Sequence, residues 1–231
     1  TFNGSVEEGG TLVADISNIY DDDNDTNIPL TFIYQWQLST NNIDFNNITD
    51  AIENTFIIPS DQSYVDKYIR LTAVATDSRG GTTSLKSSSQ QIANIEDEAI
   101  GTLLINGIVQ EGATLTANTT DISDVDGSLT FTFQWQLSNT DSFDTNSNIS
   151  GATNNTFTIP SDQSYVDKFI RLTAISTDSR GGTTLFETSP QQIVNVDDQA
   201  IGSLLINGIV QEGATLTANT TDISDVDGSL T

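Results

Sequence analysis

The sequence contains no cysteine and no histidine. Without cysteine there is no disulfide framework and no thiol chemistry. Without histidine the commonest general base is gone, and with it the usual nucleophilic triads and most zinc and iron sites. Cations are scarce as well: 7 lysines and arginines stand against 32 aspartates and glutamates, a formal net charge of −25 with a pI near 4.1. Such a polyanion repels phosphate backbones and anionic lipid, which argues against nucleic-acid partners and peripheral membrane binding. No apolar run approaches the ~20 residues of a membrane helix, so no membrane insertion is expected in this segment. Hydrophobic residues make up 35 % of the chain. They recur in regular patterns, the mark of small packed cores rather than disorder.

What is there is a tandem repeat. Residues 101–130 read GTLLINGIVQEGATLTANTTDISDVDGSLT, and residues 202–231 repeat them with Ser203 in place of Thr102. The first hundred residues are a more diverged copy. There YQWQLS (Tyr34–Ser39) matches FQWQLS (Phe133–Ser138), and IPSDQSYVDKYIRLTA (Ile58–Ala73) matches IPSDQSYVDKFIRLTA (Ile159–Ala174). TDSRGGTT at Thr76–Thr83 recurs at Thr177–Thr184, and a longer acidic loop, Tyr20–Pro29, shifts the register of the first copy. The division this gives is 1–100, 101–201 and the beginning of a third repeat at 202–231. The 231 residues are expected to be a window onto a longer array, with the partial third repeat either an arbitrary boundary or a surface packed on a neighbour.

Each repeat alternates with a period of two. Phe131, Phe133, Trp135 and Leu137 share one face while Thr132, Gln134 and Gln136 share the other, and Phe32, Tyr34, Trp36 and Leu38 repeat the pattern. Ile69, Leu71, Ala73 and Ala75 make a second such strand. Shorter runs at 11–16, 55–58, 82–85 and 91–95 complete about seven strands, with Asn, Asp, Gly and Ser clusters between them. No helical period persists over ten residues. The pattern predicts an all-β chain of tandem antiparallel sandwiches, set out as an extended array. The one tryptophan per complete repeat is expected in the core. A sugar-stacking platform is the other reading of that residue.

A repeat running N-G-x-V-x-E-G-x-T-L, then D-x-D-G, Y/F-Q-W-Q, D-x-x-Y-V-D-K-x-I-R-L-T-A and T-D-x-x-G-T resembles the tandem Ig-like repeats of giant bacterial surface proteins of the repeat-in-toxin adhesin type. The boundary segments ANIEDEAIG (Ala93–Gly101) and VNVDDQAIG (Val194–Gly202) resemble the linkers of cadherin-like repeats, with acidic residues where the usual pattern carries N-D-A-P. The resemblance covers essentially the whole chain and implies Ig-like sandwiches on an extracellular bacterial surface.

The acids cluster at Asp21, Asp22, Asp23 and Asp25, at Glu96, Asp97 and Glu98, at Asp124 and Asp126, at Asp197 and Asp198, and at Asp225 and Asp227. Ca2+ takes six to eight oxygen ligands, which such loops can supply. Asp124 and Asp126 before Gly127 could aim two carboxylates at one ion. The twelve-residue spacing and terminal Glu of an EF-hand are missing, and a solvated acidic face is the other reading. The resemblance implies ions at the junctions: one holding Glu96, Asp97, Glu98, Asp124 and Asp126, the next Asp197, Asp198, Asp225 and Asp227. Glu8, Glu111, Asp77 and Asp178 are further candidates. Lys67, Arg70, Lys168 and Arg171 are expected to pair with acids such as Asp61 and Asp66.

These residues are compatible with three functions. The leading one is a structural spacer of a cell-surface adhesin or extracellular fibre, whose partners are neighbouring repeats and other copies of the chain in a fibre. A carbohydrate- or ligand-binding module would need exposed aromatics, for which Tyr20, Tyr64 and Tyr165 are the candidates. An enzyme would need a cleft that short loops on a small sandwich rarely build. No enzymatic activity is expected.

Overall fold

Nine-residue strands carrying the tryptophans are the backbone of both complete repeats. In a computed structural model, which describes residues 1–22, 24, 25 and 27–228, the first repeat contains eight strands. They are β1 (Phe2–Gly4), β2 (Thr11–Ala14), β3 (Thr31–Ser39), β4 (Asn46–Asn47), β5 (Thr55–Ile57), β6 (Tyr68–Thr76), β7 (Thr82–Lys86) and β8 (Gln90–Gln91). One sheet has the order β1-β2-β5, and the other runs β4-β3-β6-β7, with β8 beside β6; all pairings are antiparallel. The second repeat follows the same plan: β9 (Leu104–Asn106), β10 (Thr114–Asn118), β11 (Thr130–Ser138), β12 (Thr156–Thr158), β13 (Phe169–Thr177), β14 (Thr183–Glu187) and β15 (Gln191–Gln192). Its sheets are ordered β12-β10-β9 and β11-β13-β14, with β15 on β13. A hairpin of β16 (Leu205–Asn207) and β17 (Thr217–Asn219) begins the third repeat. The chain is all-β. Among the described residues there is no helix long and apolar enough to cross a membrane. Two compact units result, Thr1–Asp97 and Glu98–Thr231.

The cores follow from the alternation. Along β6 every second side chain, Ile69, Leu71, Ala73 and Ala75, is buried. Trp36 lies opposite Leu71 and Trp135 opposite Leu172 in the ladders. Both tryptophans are 0 % exposed, and each Nε1–H donates at 3.0 Å to a carbonyl, that of Glu53 or Asn154. The indoles are therefore core anchors with their polar edge satisfied, and the sugar-platform reading of them is excluded. Leu12, Ile58, Ile69 and Ile92 pack around Trp36, and Leu115, Ile159, Ile170 and Ile193 around Trp135.

Two strand ends differ from the pattern. The run from Thr11 stops at Ala14, because the Asp15 side chain accepts the Ser17 N–H at 3.0 Å and turns the chain. The run expected at 91–95 is a two-residue strand on β6, after which the chain changes sheets: Ile92 N–H donates to Lys67, but Ala93 N–H donates to Val6. That crossing carries the chain from the core to the end of the repeat, where its acidic residues begin. The basic residues meet the expectation of pairing with acids only in part. Arg70 and Arg171 lie over the rings of Phe45 and Phe143 and donate through Nε to Gln37 and Gln136, and Arg171 pairs with Glu187 at 3.2 Å. Lys67 and Lys168 sit over Tyr64 and Tyr165, while Asp61 accepts from the Ser63 N–H.

Candidate metal centre

Glu111 is where the site begins. It follows a one-residue parallel bridge between Gln110 and Val194, and its own N–H donates to the Val194 carbonyl at 3.1 Å. This fastens the start of β10's approach to the chain leaving β15. The side chain turns inward, and the residue is only 5 % exposed. Its Oε1 accepts the Val196 N–H at 2.6 Å. Its Oε2 lies 3.5 Å from Nε2 of Gln163, an amide that also donates to Asn195 Oδ1 at 2.6 Å and Asp227 Oδ1 at 2.8 Å. Gln163 is presented by a tight turn in which Asp162 accepts the Ser164 N–H. Hydrogen bonds from the Ser164 hydroxyl and N–H hold the Asp162 carboxyl below its ordinary value.

Asp198 and Asp227 arrive from the linker and from the third repeat. A reciprocal backbone bridge between Ile201 and Ser224, with N···O distances of 2.8 and 2.9 Å, lies three residues beyond the first aspartate and three before the second. Gly202 permits this approach: its φ is +128°, and a Cβ there would stand 2.1 Å from the Asp222 carbonyl oxygen. Asp225 accepts the Asp227 N–H at 2.9 Å and shapes the D-V-D turn, while the Asp198 N–H donates to Asp227 Oδ2 at 2.7 Å. One carboxylate oxygen each from Glu111, Asp198 and Asp227 then lies within 4.8 Å of the others. Oxygens bound to one Ca2+ at about 2.3–2.6 Å can be up to about 5 Å apart, so this spread suits a single such ion. The donors are oxygens only, in a chain without histidine or cysteine. That is the chemistry of a hard cation, and Glu111, Asp198, Asp227 and the Asn195 carbonyl oxygen are the groups that would hold it.

Asp197 is exposed on the linker, outside the three-carboxylate group. In the first unit Asp21 and Asp25 are exposed, and Asp25 accepts the Asn27 N–H; Asp23 lies outside the described residues. Glu96 is exposed and Asp97 half-buried at that unit's end. In the second unit Glu98 is exposed. Asp124 accepts the Asp126 N–H at 2.7 Å, and the buried Asp126 offers its carbonyl to Ser179 Oγ and its carboxylate to Arg180 at 4.0 Å. Asp77 and Asp178 close their own T-D-S-R-G-G turns, accepting N–H groups of Arg79 and Gly81, and of Arg180 and Gly181. Hydrogen bonds from Arg79 and Gly81 lower the Asp77 pKa from 3.8.

Sequence reasoning ranked Glu111 low and passed over Gln163 and Asn195. The available signal was recurrence. The first unit carries Glu8, 4 % exposed, accepting the Ile95 N–H at 2.6 Å and the Gln62 amide at 3.2 Å, with Gln62 also donating to Asn94 at 2.7 Å. Of the aromatics considered for ligand binding, Tyr64 and Tyr165 stack on Phe56 and Phe157 of the cores, and Tyr20 is 81 % exposed.

No family model matches the chain, and no curated protein sequence does. Among solved structures, one from a 1.5-MDa bacterial ice-binding adhesin is similar with a TM-score of 0.32 and 14 % identity, over 92 % of this chain and 70 % of that one. A Ca2+-stabilised adhesin with which an Antarctic bacterium binds ice gives 0.30 and 14 %, over 88 % of this chain and 47 % of that one. The chicken interferon gamma receptor alpha chain gives 0.31 and 6 %, over 84 % and 97 %. Likeness of this degree carries no argument about function.

Proposed function

We propose that the chain is a run of spacer repeats, with domains at 1–100, 101–201 and from 202 onward, in an extracellular adhesin or fibre of a bacterial surface. Divalent cations, Ca2+ foremost, fasten each repeat to the next. The observation that carries this reading is the meeting of Glu111, Asp198 and Asp227, one residue from the second repeat, one from the linker and one from the third. Near-identity of the second and third copies supports it: duplication lengthens a spacer without requiring new chemistry. So does charge, since gathering carboxylates without a counter-ion is repulsive and only partly screened by salt. A cation that binds the folded joint and not the unfolded chain stabilises by mass action. The test is thermal unfolding and small-angle scattering in excess Ca2+ and in EDTA. Chelation is expected to lower the melting temperature and change the maximum dimension. Identical curves in both solutions mean that the acids are a solvated face.

A further inference from the structure

Beside the backbone N–H groups of Val196 and Asp198, Gln163 brings a side-chain hydrogen-bond donor to the carboxylates of Glu111 and Asp227. Its amide nitrogen donates to Asn195 Oδ1 at 2.6 Å and Asp227 Oδ1 at 2.8 Å and lies 3.5 Å from Glu111 Oε2. An amide oxygen in the same place would face the carboxylate lone pairs of Asp227 and Glu111, so these two acids favour the NH2 facing inward. The orientation is also a property of the repeat. Inside the first unit the Gln62 amide nitrogen takes up the same contacts with Glu8 and Asn94, at 3.2 and 2.7 Å.

A cation at Glu111, Asp198 and Asp227 requires the reverse, because every group facing it must offer a lone pair. We infer that Gln163 sets the cation affinity of this centre, as a side-chain amide that competes with the ion for Asp227 and Glu111. Without the ion, its NH2 relieves part of the repulsion between the acids and ties Asn195 to the turn. On loading, the amide gives up its bond to Asp227 and either turns its oxygen inward or withdraws. The cost of breaking those bonds is subtracted from the binding of the ion. The joint is thereby tuned to respond to the cation concentration of the medium rather than to stay permanently loaded. This inference rests on the reading of the cluster as a cation site.

Calorimetric titration of the 231-residue chain with CaCl2 tests it, comparing wild type with Gln163→Glu; the binding that Asp227→Asn removes identifies the heat of this centre. Gln163→Glu replaces the competing donor with a fourth carboxylate, and ligand charge count is a main determinant of Ca2+ affinity. The expected result is about tenfold tighter binding, a lower melting temperature than wild type in EDTA, and a Gln163 side-chain NH2 resonance that shifts when Ca2+ is added to the wild type. Equal or weaker binding by Gln163→Glu, or an NH2 resonance that stays in place while Ca2+ binds, overturns the role of Gln163 and leaves the cation site standing. Absence of any Ca2+ heat in the wild type overturns the cation site, and this inference with it.

Discussion

Glu111 accepts the backbone N–H of Val196 at 2.6 Å across 85 residues of sequence, and Glu8 accepts that of Ile95 at 2.6 Å across 87. In both repeats a buried carboxylate therefore clasps the chain as it leaves the last strand. The clasp decides where the linker acids stand. Replacing Glu8 with Ala leaves the Ile95 N–H and the Gln62 amide without this acceptor, and the expected cost is about 1–3 kcal/mol. Chemical denaturation measures it. Faster hydrogen exchange at Ile95, with the amides of Leu71 and Ala73 still protected, is the local sign.

The tryptophan core gives the largest expected effect. Trp135 is fully buried and stacks at 5.7 Å on Phe157. Trp135→Ala removes that packing and leaves a cavity, at an expected cost of about 3–5 kcal/mol. An unchanged denaturation midpoint would contradict the placement of this side chain.

Gly202 offers a way to open the metal centre while sparing the sandwich. Gly202→Ala puts a Cβ against the Asp222 carbonyl and forces a non-glycine residue to φ near +128°. The expected strain is about 1–3 kcal/mol, relieved by opening the Ile201–Ser224 bridge. Ca2+ stabilisation of the second repeat should fall, while its EDTA melting temperature stays near that of wild type. A variant that responds to Ca2+ as wild type does would show that the bridge does not position Asp198 and Asp227.

The turn aspartates give a pH signature. N–H groups of Arg79 and Gly81 lower the Asp77 pKa from 3.8. A group with a depressed folded pKa contributes stability above its unfolded value and loses it as pH falls through the folded value. Asp77→Ala should therefore destabilise the first repeat at neutral pH, with the difference from wild type shrinking below pH 3.8. Denaturation of both proteins in EDTA at the two pH values checks this. A constant difference would mean that the ionised carboxylate is not what the turn requires.

Much of the fold could be read in the sequence, because period-two alternation and burial have one physical cause. Phe131, Phe133, Trp135 and Leu137 could face inward together only on a strand, and so could Ile69, Leu71, Ala73 and Ala75. Strand ends were less legible where a side chain such as Asp15 captures a backbone N–H, or where the chain crosses between sheets at Ile92 and Ala93. Asp198 and Asp227 were legible as members of acidic runs beside a boundary. Glu111 was legible only as a further candidate and Gln163 not at all, since each is a single polar residue in a turn and its role depends on a contact 52 residues away. Charge density along the chain finds acids that are adjacent in sequence. It does not find a buried carboxylate and an amide that meet only after the sheets have closed.

The proposed joint requires a cation where the three carboxylates converge. Crystals of the chain grown in Ca2+, with anomalous difference density measured at a long wavelength, decide it. The predicted result is a peak bonded to oxygens of Glu111, Asp198 and Asp227. Well-ordered carboxylates at those three residues in saturating Ca2+, with no peak between them, would contradict it.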